Sequence, residues 1–169
     1  MKLSPDDLSR LIDGLERTSH LDTTPEEQKH TEELLRRLVG AFDIHNERRA
    51  RHCNTPPLRR DADLEAEAQR FADTCPTCGD TTTPGHGENL YWAGGDAIAG
   101  EVQSYVNAIA NWYDDEIHNY NFSSGKSTGG LVGHFTQLVW DSTVRVGCAI
   151  RYGCKNMYAG INNSAVVCK

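Results

Sequence analysis

A chain of 169 residues carrying a formal charge of −7 is long enough for one sizeable core and too short for two ordinary domains. The acidic balance argues against a nucleic-acid binder, which needs a basic face to neutralise phosphates, and equally against an anionic membrane surface. No run of ~20 apolar residues is present to span a bilayer. The first residues, Met1 to Asp7, lack the apolar core of a signal peptide, which leaves a cytosolic protein or a mature chain from which the signal has been removed.

In chain order, Ser4 and Pro5 open a short helix with Leu8, Leu11, Ile12 and Leu15 as its stripe. Thr24-Pro25-Glu26-Glu27 reads as a capping box, and the helix it starts should carry Leu34, Leu35, Leu38, Val39 and Phe42 on one face and run to about His52. Asn54-Thr55-Pro56-Pro57 breaks it, since proline removes a donor and restricts the residue before it. Leu64, Ala68, Phe71, Ala72 and Cys75 mark another amphipathic helix, and Pro76 to Gly87 is a polar, turn-rich surface loop. Val102, Tyr105, Val106, Ile109, Trp112 and Tyr113 mark a further helix, and Ser123 to Gly130 is loop again. Beyond a short element over Gly133–Trp140, Val144, Val146, Cys148 and Ile150 alternate as a strand does, and at least one more strand lies within Met157–Cys168. Helices first and strands last predict an α+β domain with antiparallel pairing.

Six cysteines bear on the compartment: Cys53, Cys75, Cys78, Cys148, Cys154 and Cys168. Cys75-Pro76-Thr77-Cys78 has redox or zinc spacing, but it closes a helical pattern instead of following a strand, and no second close pair completes a zinc ribbon. A disulfide framework, and with it a secreted protein, is the better reading of an even count in a loop-rich chain.

Three stretches place ionisable groups beside apolar anchors: Gly87-Glu88-Asn89-Leu90, then Trp112 with Glu116-Ile117-His118-Asn119-Tyr120-Asn121-Phe122, then Gly133-His134-Phe135-Thr136-Gln137-Leu138-Val139-Trp140. Together they resemble the CAP superfamily, which includes cysteine-rich secretory proteins, venom antigens and plant pathogenesis-related proteins; the resemblance covers about Phe42 to Lys169. It implies a three-layer α-β-α sandwich with a small, mainly antiparallel sheet over residues 39–169, behind a helical extension over residues 1–38 that has no counterpart in the family core. That extension could pack on the domain or mediate assembly.

The resemblance also implies a cleft of two histidines and two glutamates. Glu88, Glu116 and His134 match three of these positions, whereas the remaining histidine is missing from Cys75 to Pro84 and His86 is the nearest substitute. Such a cleft could hold zinc or another divalent cation and hydrolyse a bond, or it could be a polar network in which Glu88 ties down a glycine turn. His45-Asn46-x-x-Arg49 resembles a motif of the family's first helix and reads, with His52, as structural; His118 reads as solvated, and Phe135 and Trp140 as core. The family pattern implies a Cys148–Cys168 bridge, a second from Cys75 or Cys78 to Cys154, and Cys53 paired with whichever of that pair remains. The leading function is a secreted protein that binds a lipophilic molecule (sterol or fatty acid) or a protein partner; a zinc-dependent hydrolase and a module assembled through the N-terminal helices are the alternatives.

Overall fold

The computed structural model describes residues 24, 40–77, 79–80, 85–95, 98, 100–155 and 162–169. Most of the expected extension over residues 1–38 lies outside them, as do the first half of the capping-box helix, Cys78, and the start of the stretch expected to hold the last strand.

Helix α1 spans Ala41–Arg49. Its start is set at Gly40, which is extended and whose amide the Asp43 carboxylate accepts at 3.0 Å. The expected helix therefore does not run through Gly40 to His52: a glycine in β conformation, with an acidic side chain answering its free amide, stands directly before α1, and α1 ends at Arg49. Strand β1 (Arg59–Arg60) forms a short parallel ladder with β5 (Arg145–Val146). Helix α2 (Ala62–Ala72) is capped by Asp61, whose carboxylate accepts the Asp63 and Leu64 amides, and it buries Leu64, Ala68 and Ala72, spaced four apart on one face. Helix α3 (Glu101–Tyr113) buries all six of the apolar residues that mark it in the sequence.

The main sheet has the order β2-β7-β6, antiparallel throughout, with β2 at Asn89–Gly94, β6 at Cys148–Cys154 and β7 at Asn163–Cys168. Alternation along these strands splits the core into two layers. Val166, Cys168, Ile150 and Tyr91 face α1, α3 and α4 (Gly133–Leu138), with Ile44, Ile109, Trp112 and Phe135. Val167, Ala149 and Leu90 face α2, with Ala68 and Ala72. Helices thus cover both faces of the sheet, as the sandwich requires. The second layer is thin because the backbones come close: a Cβ added at Gly147 would lie 2.1 Å from the Glu65 amide nitrogen, so only glycine fits there. Residues 123–130, expected as loop, carry half of a two-residue hairpin, β3 (Tyr120–Asn121) with β4 (Lys126–Ser127), turned through Gly125 at φ +67°.

Two disulfides close the sandwich. Cys148 and Cys168 sit opposite each other in the β6–β7 register and are bonded. Cys75, at positive φ just past the end of α2, is bonded to Cys154 at the end of β6. The expected bridge from Cys53 does not form: Cys53 is a free, exposed thiol in the turn after α1, and Cys75 is already joined to Cys154. Trp140 also departs from expectation. Phe135 is fully buried, but Trp140 is 56% exposed, because α4 ends at Leu138 and the chain turns outward there.

The motif His45-Asn46-x-x-Arg49 forms the inner face of α1. Asn46 exchanges two hydrogen bonds with the Leu58 backbone, donating to its carbonyl and accepting from its amide. Arg49, wholly buried, donates from Nε and Nη2 to the Pro56 carbonyl, from Nη1 to Leu138 and Trp140, and from Nη2 to Thr143, at 2.7–3.0 Å. All five of its N–H donors are used. The loop after α4 is thereby tied to the first helix.

His45 is buried beside Trp112 and the Cys148–Cys168 sulfurs, with Nδ1 2.8 Å from the Ala41 carbonyl. Burial is the main cause that pulls its pKa down to about 4, so the ring is neutral in the fold. Unfolding restores the ordinary value near 6.5, so the unfolded chain binds the extra proton between these two values. Stability from this residue is then complete above pH 6.5 and lost as pH falls towards 4, by about 3 kcal/mol. Urea unfolding at pH 7 and pH 4.5 should show this loss in the native chain and a smaller one in His45→Gln.

Candidate functional site

The predicted site residues fall on three elements. Glu116 follows α3 and opens a 3₁₀ turn over Ile117–Asn119; His134 and Phe135 lie in the first turn of α4; Glu88 directly precedes β2. Burying Trp112 on α3 aligns the first two, because its indole donates to the Leu90 carbonyl at 2.9 Å while its ring stacks on His134, 6.4 Å between centroids.

Glu116 is 5% exposed and uses both carboxylate oxygens. Oε1 lies 2.5 Å from His134 Nδ1, and Oε2 accepts the Phe135 amide at 3.0 Å. The carboxylate thus fixes the ring and answers one of the unpaired amides at the start of α4, where negative charge is also favoured by the helix dipole. Asn89 locks the same turn from the sheet side, donating to the His134 carbonyl at 3.0 Å. With Nδ1 engaged, His134 presents its other ring nitrogen, and about a third of its side chain is exposed. Glu116→Ala should cost about 2 kcal/mol, through a buried amide left without an acceptor and a freed imidazole; urea titration of the variant against the native chain measures it.

Glu88 is not part of this dyad. Its Oε2 is 3.0 Å from Nζ of Lys169. His86 sits in the exposed turn before it. No three of His86, Glu88, Glu116 and His134 bring ligand atoms within 4.8 Å of one another, which is what a single ion held by three of them would need. Among the described residues the one trio that does meet this spacing is His45, Cys148 and Cys168, and its two sulfurs are bonded to each other, so they offer no thiolate. The other expected roles are plain: His52 reaches the Tyr113 hydroxyl at 2.7 Å, and His118 is exposed.

A shallow cleft of about 30 Å³ opens beside this region, lined by His45, Leu58, Glu88, Gln137, Arg145 and Lys169 among others. Gln137 lies across Gly87, where any Cβ would strike its amide at 2.3 Å. Sequence reasoning picked out neither Gln137 nor Lys169. A signal for Lys169 existed in the pairing: Asn89 faces Cys168, so one step further along the strands an acid faces a base.

The model of the cysteine-rich secretory protein family, CAP, matches residues 42–169. The chain belongs to the CAP family. It is 38% identical over 125 residues to human cysteine-rich secretory protein 2, covering 66% of this chain and 47% of that protein. It is 34% identical over 117 residues to tobacco (Nicotiana tabacum) pathogenesis-related protein 1C, covering 68% of this chain and 66% of the relative. The chain therefore spans from about half to two thirds of the length of these relatives. Among solved structures, that of NaASP2 with Zn²⁺ superimposes with a TM-score of 0.55 at 22% identity, over 76% of this chain and 75% of that one, which bears out the CAP sandwich. The relatives are secreted proteins, and this CAP chain is extracellular with them. Its two disulfides agree with an oxidising compartment. No helix among the described residues is long and apolar enough to cross a membrane.

Proposed function

We propose that this CAP domain is a secreted recognition protein, in a defence, venom or related secretory role, that engages a protein partner over the face around His134. The carrying observation is a pair of bare apolar side chains on the segment leading into α4: Phe122 is 62% and Leu131 75% exposed. Phe122 rests on a bed of aromatic rings, Tyr120, His52 and Phe135, which holds it rigid and outward. A rigid aromatic anchor beside a polar dyad suits a protein interface, where such residues carry much of the binding energy. In this reading the buried Glu116 holds His134 in place, and the partly exposed imidazole offers the surface a polar contact.

A sterol or fatty acid is the other ligand class, and the cleft weighs against it. Its cavity volume of about 30 Å³ is roughly a tenth of what a small-molecule pocket needs, and Glu88, Arg145 and Lys169 put charge in its wall. Titration with a fluorescent sterol and a fluorescent fatty acid should give no saturable signal. A photo-crosslinker at position 122, in extracellular fluid of the source tissue, should give one adduct that unlabelled protein competes away and that Leu131→Ser weakens. Saturable lipid binding with no competed adduct would overturn the reading.

The hydrolase is the second reading, because Glu116 orients the His134 imidazole as a carboxylate orients a general base. It would also need zinc or another divalent cation, or a nucleophile, and the spread of the four candidate ligands favours recognition instead. Ester or peptide cleavage abolished by His134→Ala in a folded variant would reverse that preference.

A further inference from the structure

The Lys169 side chain is wholly buried although lysine carries a strongly hydrated charge. Its backbone exchanges two hydrogen bonds with Gly147, at 2.9 and 3.0 Å, which fixes where the side chain departs from the sheet. The ammonium then lies 3.0 Å from Glu88 Oε2, 3.3 Å from Glu67 Oε1 and 5.7 Å above the centre of the Phe71 ring. Two carboxylates and a ring face replace the water that burial removes. The Glu88 carboxylate is itself mostly covered, at 12% exposure, so it too requires a cation close by.

We propose that the Lys169 ammonium is the built-in cation of this cleft, occupying at Glu88 the place that a divalent ion would need. An ion bound to Glu88 would sit beside the buried positive charge that already lies 3.0 Å from Oε2, and it could bind there only by displacing the Lys169 ammonium. The second carboxylate of the expected set is likewise answered from within the fold, Glu116 by His134 and the Phe135 amide. Each acid has a separate internal partner on a separate pair of elements, which accounts for the failure of the four candidate ligands to converge.

The test uses the full chain, purified without an affinity tag, and zinc ion as the probe. Lysine acylation followed by peptide mass spectrometry should modify Lys169 at least ~10-fold more slowly than the exposed Lys126 and Lys155, with or without zinc. Competition against a chromophoric chelator should show no stoichiometric zinc uptake that depends on Glu88. Lys169→Met should melt at a lower temperature and be raised again by zinc, through Glu88, so that Lys169→Met/Glu88→Gln does not respond. Zinc uptake by the native chain that is lost in Glu88→Gln and that exposes Lys169 to acylation would overturn the proposal. So would a Lys169→Met variant as stable as the native chain and indifferent to zinc. If Lys169→Met does not fold, the acylation and uptake measurements on the native chain decide alone.

Discussion

Replacing Arg49 by alanine is expected to lower stability by about 3–5 kcal/mol, because several buried carbonyls lose their charged donor at once, each worth roughly 1–3 kcal/mol. For a domain of this size that corresponds to a melting temperature lower by roughly 10–20 °C. The guanidinium is the hub between α1, the Pro56 turn and the loop after α4; its removal takes the charged donor from the carbonyls of Pro56, Leu138 and Thr143 together, and leaves Trp140 only the Thr143 amide. Arg49→Lys should recover only part of the loss, because an ammonium has three donors where the guanidinium has five, and a compact point charge cannot reach four carbonyls spread around a plane. Calorimetry of both variants checks the order: native, then lysine, then alanine. Since the loop that Arg49 holds begins where α4 ends, the alanine variant should also loosen His134, visible as faster amide exchange over residues 133–138.

Loss of the Cys75–Cys154 bridge should cost more than loss of Cys148–Cys168. The first closes 79 residues and the second 20, so restriction of the unfolded chain amounts to about 4.5 and 3.3 kcal/mol respectively. The longer bridge also joins the end of α2 to the end of β6, whereas the shorter spans strands already paired by hydrogen bonds. Paired alanine substitutions, unfolded in urea without reductant, measure the two separately. Free Cys53 should react with a thiol reagent in the native state, before either bridge opens.

The parts of the fold that can be read from the sequence are those whose burial is one-sided. Helix α3 shows its stripe because one face meets the sheet and the other meets water, and α2 shows its spacing of four for the same reason. Strand β2 is hidden because both faces are used: Leu90 packs towards α2 and Tyr91 towards α3, so Leu-Tyr-Trp reads as a plain apolar run with no period of two. The break at Gly40 is masked by the strong apolar pattern on either side of it. Trp140 misleads because its size suggests core, whereas it is its carbonyl, held by Arg49, that the fold uses. At the site, it is the resemblance to the CAP family that points to Glu116 and His134, and their contact joins residues 18 apart through a turn no local pattern specifies. The partner of Glu88 comes from strand register, which a single chain of letters does not display.

Two internal pairs, Glu88 with Lys169 in the cleft wall and Glu116 with His134 beside it, support recognition as the proposed role of this CAP domain. A crystal structure of untagged protein grown in excess zinc, with data collected at the zinc edge, tests this pairing most directly. The expected map has Lys169 Nζ within hydrogen-bond reach of Glu88, His134 against Glu116, and no anomalous peak between them. A zinc peak ligated by His134 and Glu88, with Lys169 turned out of the cleft, would contradict it.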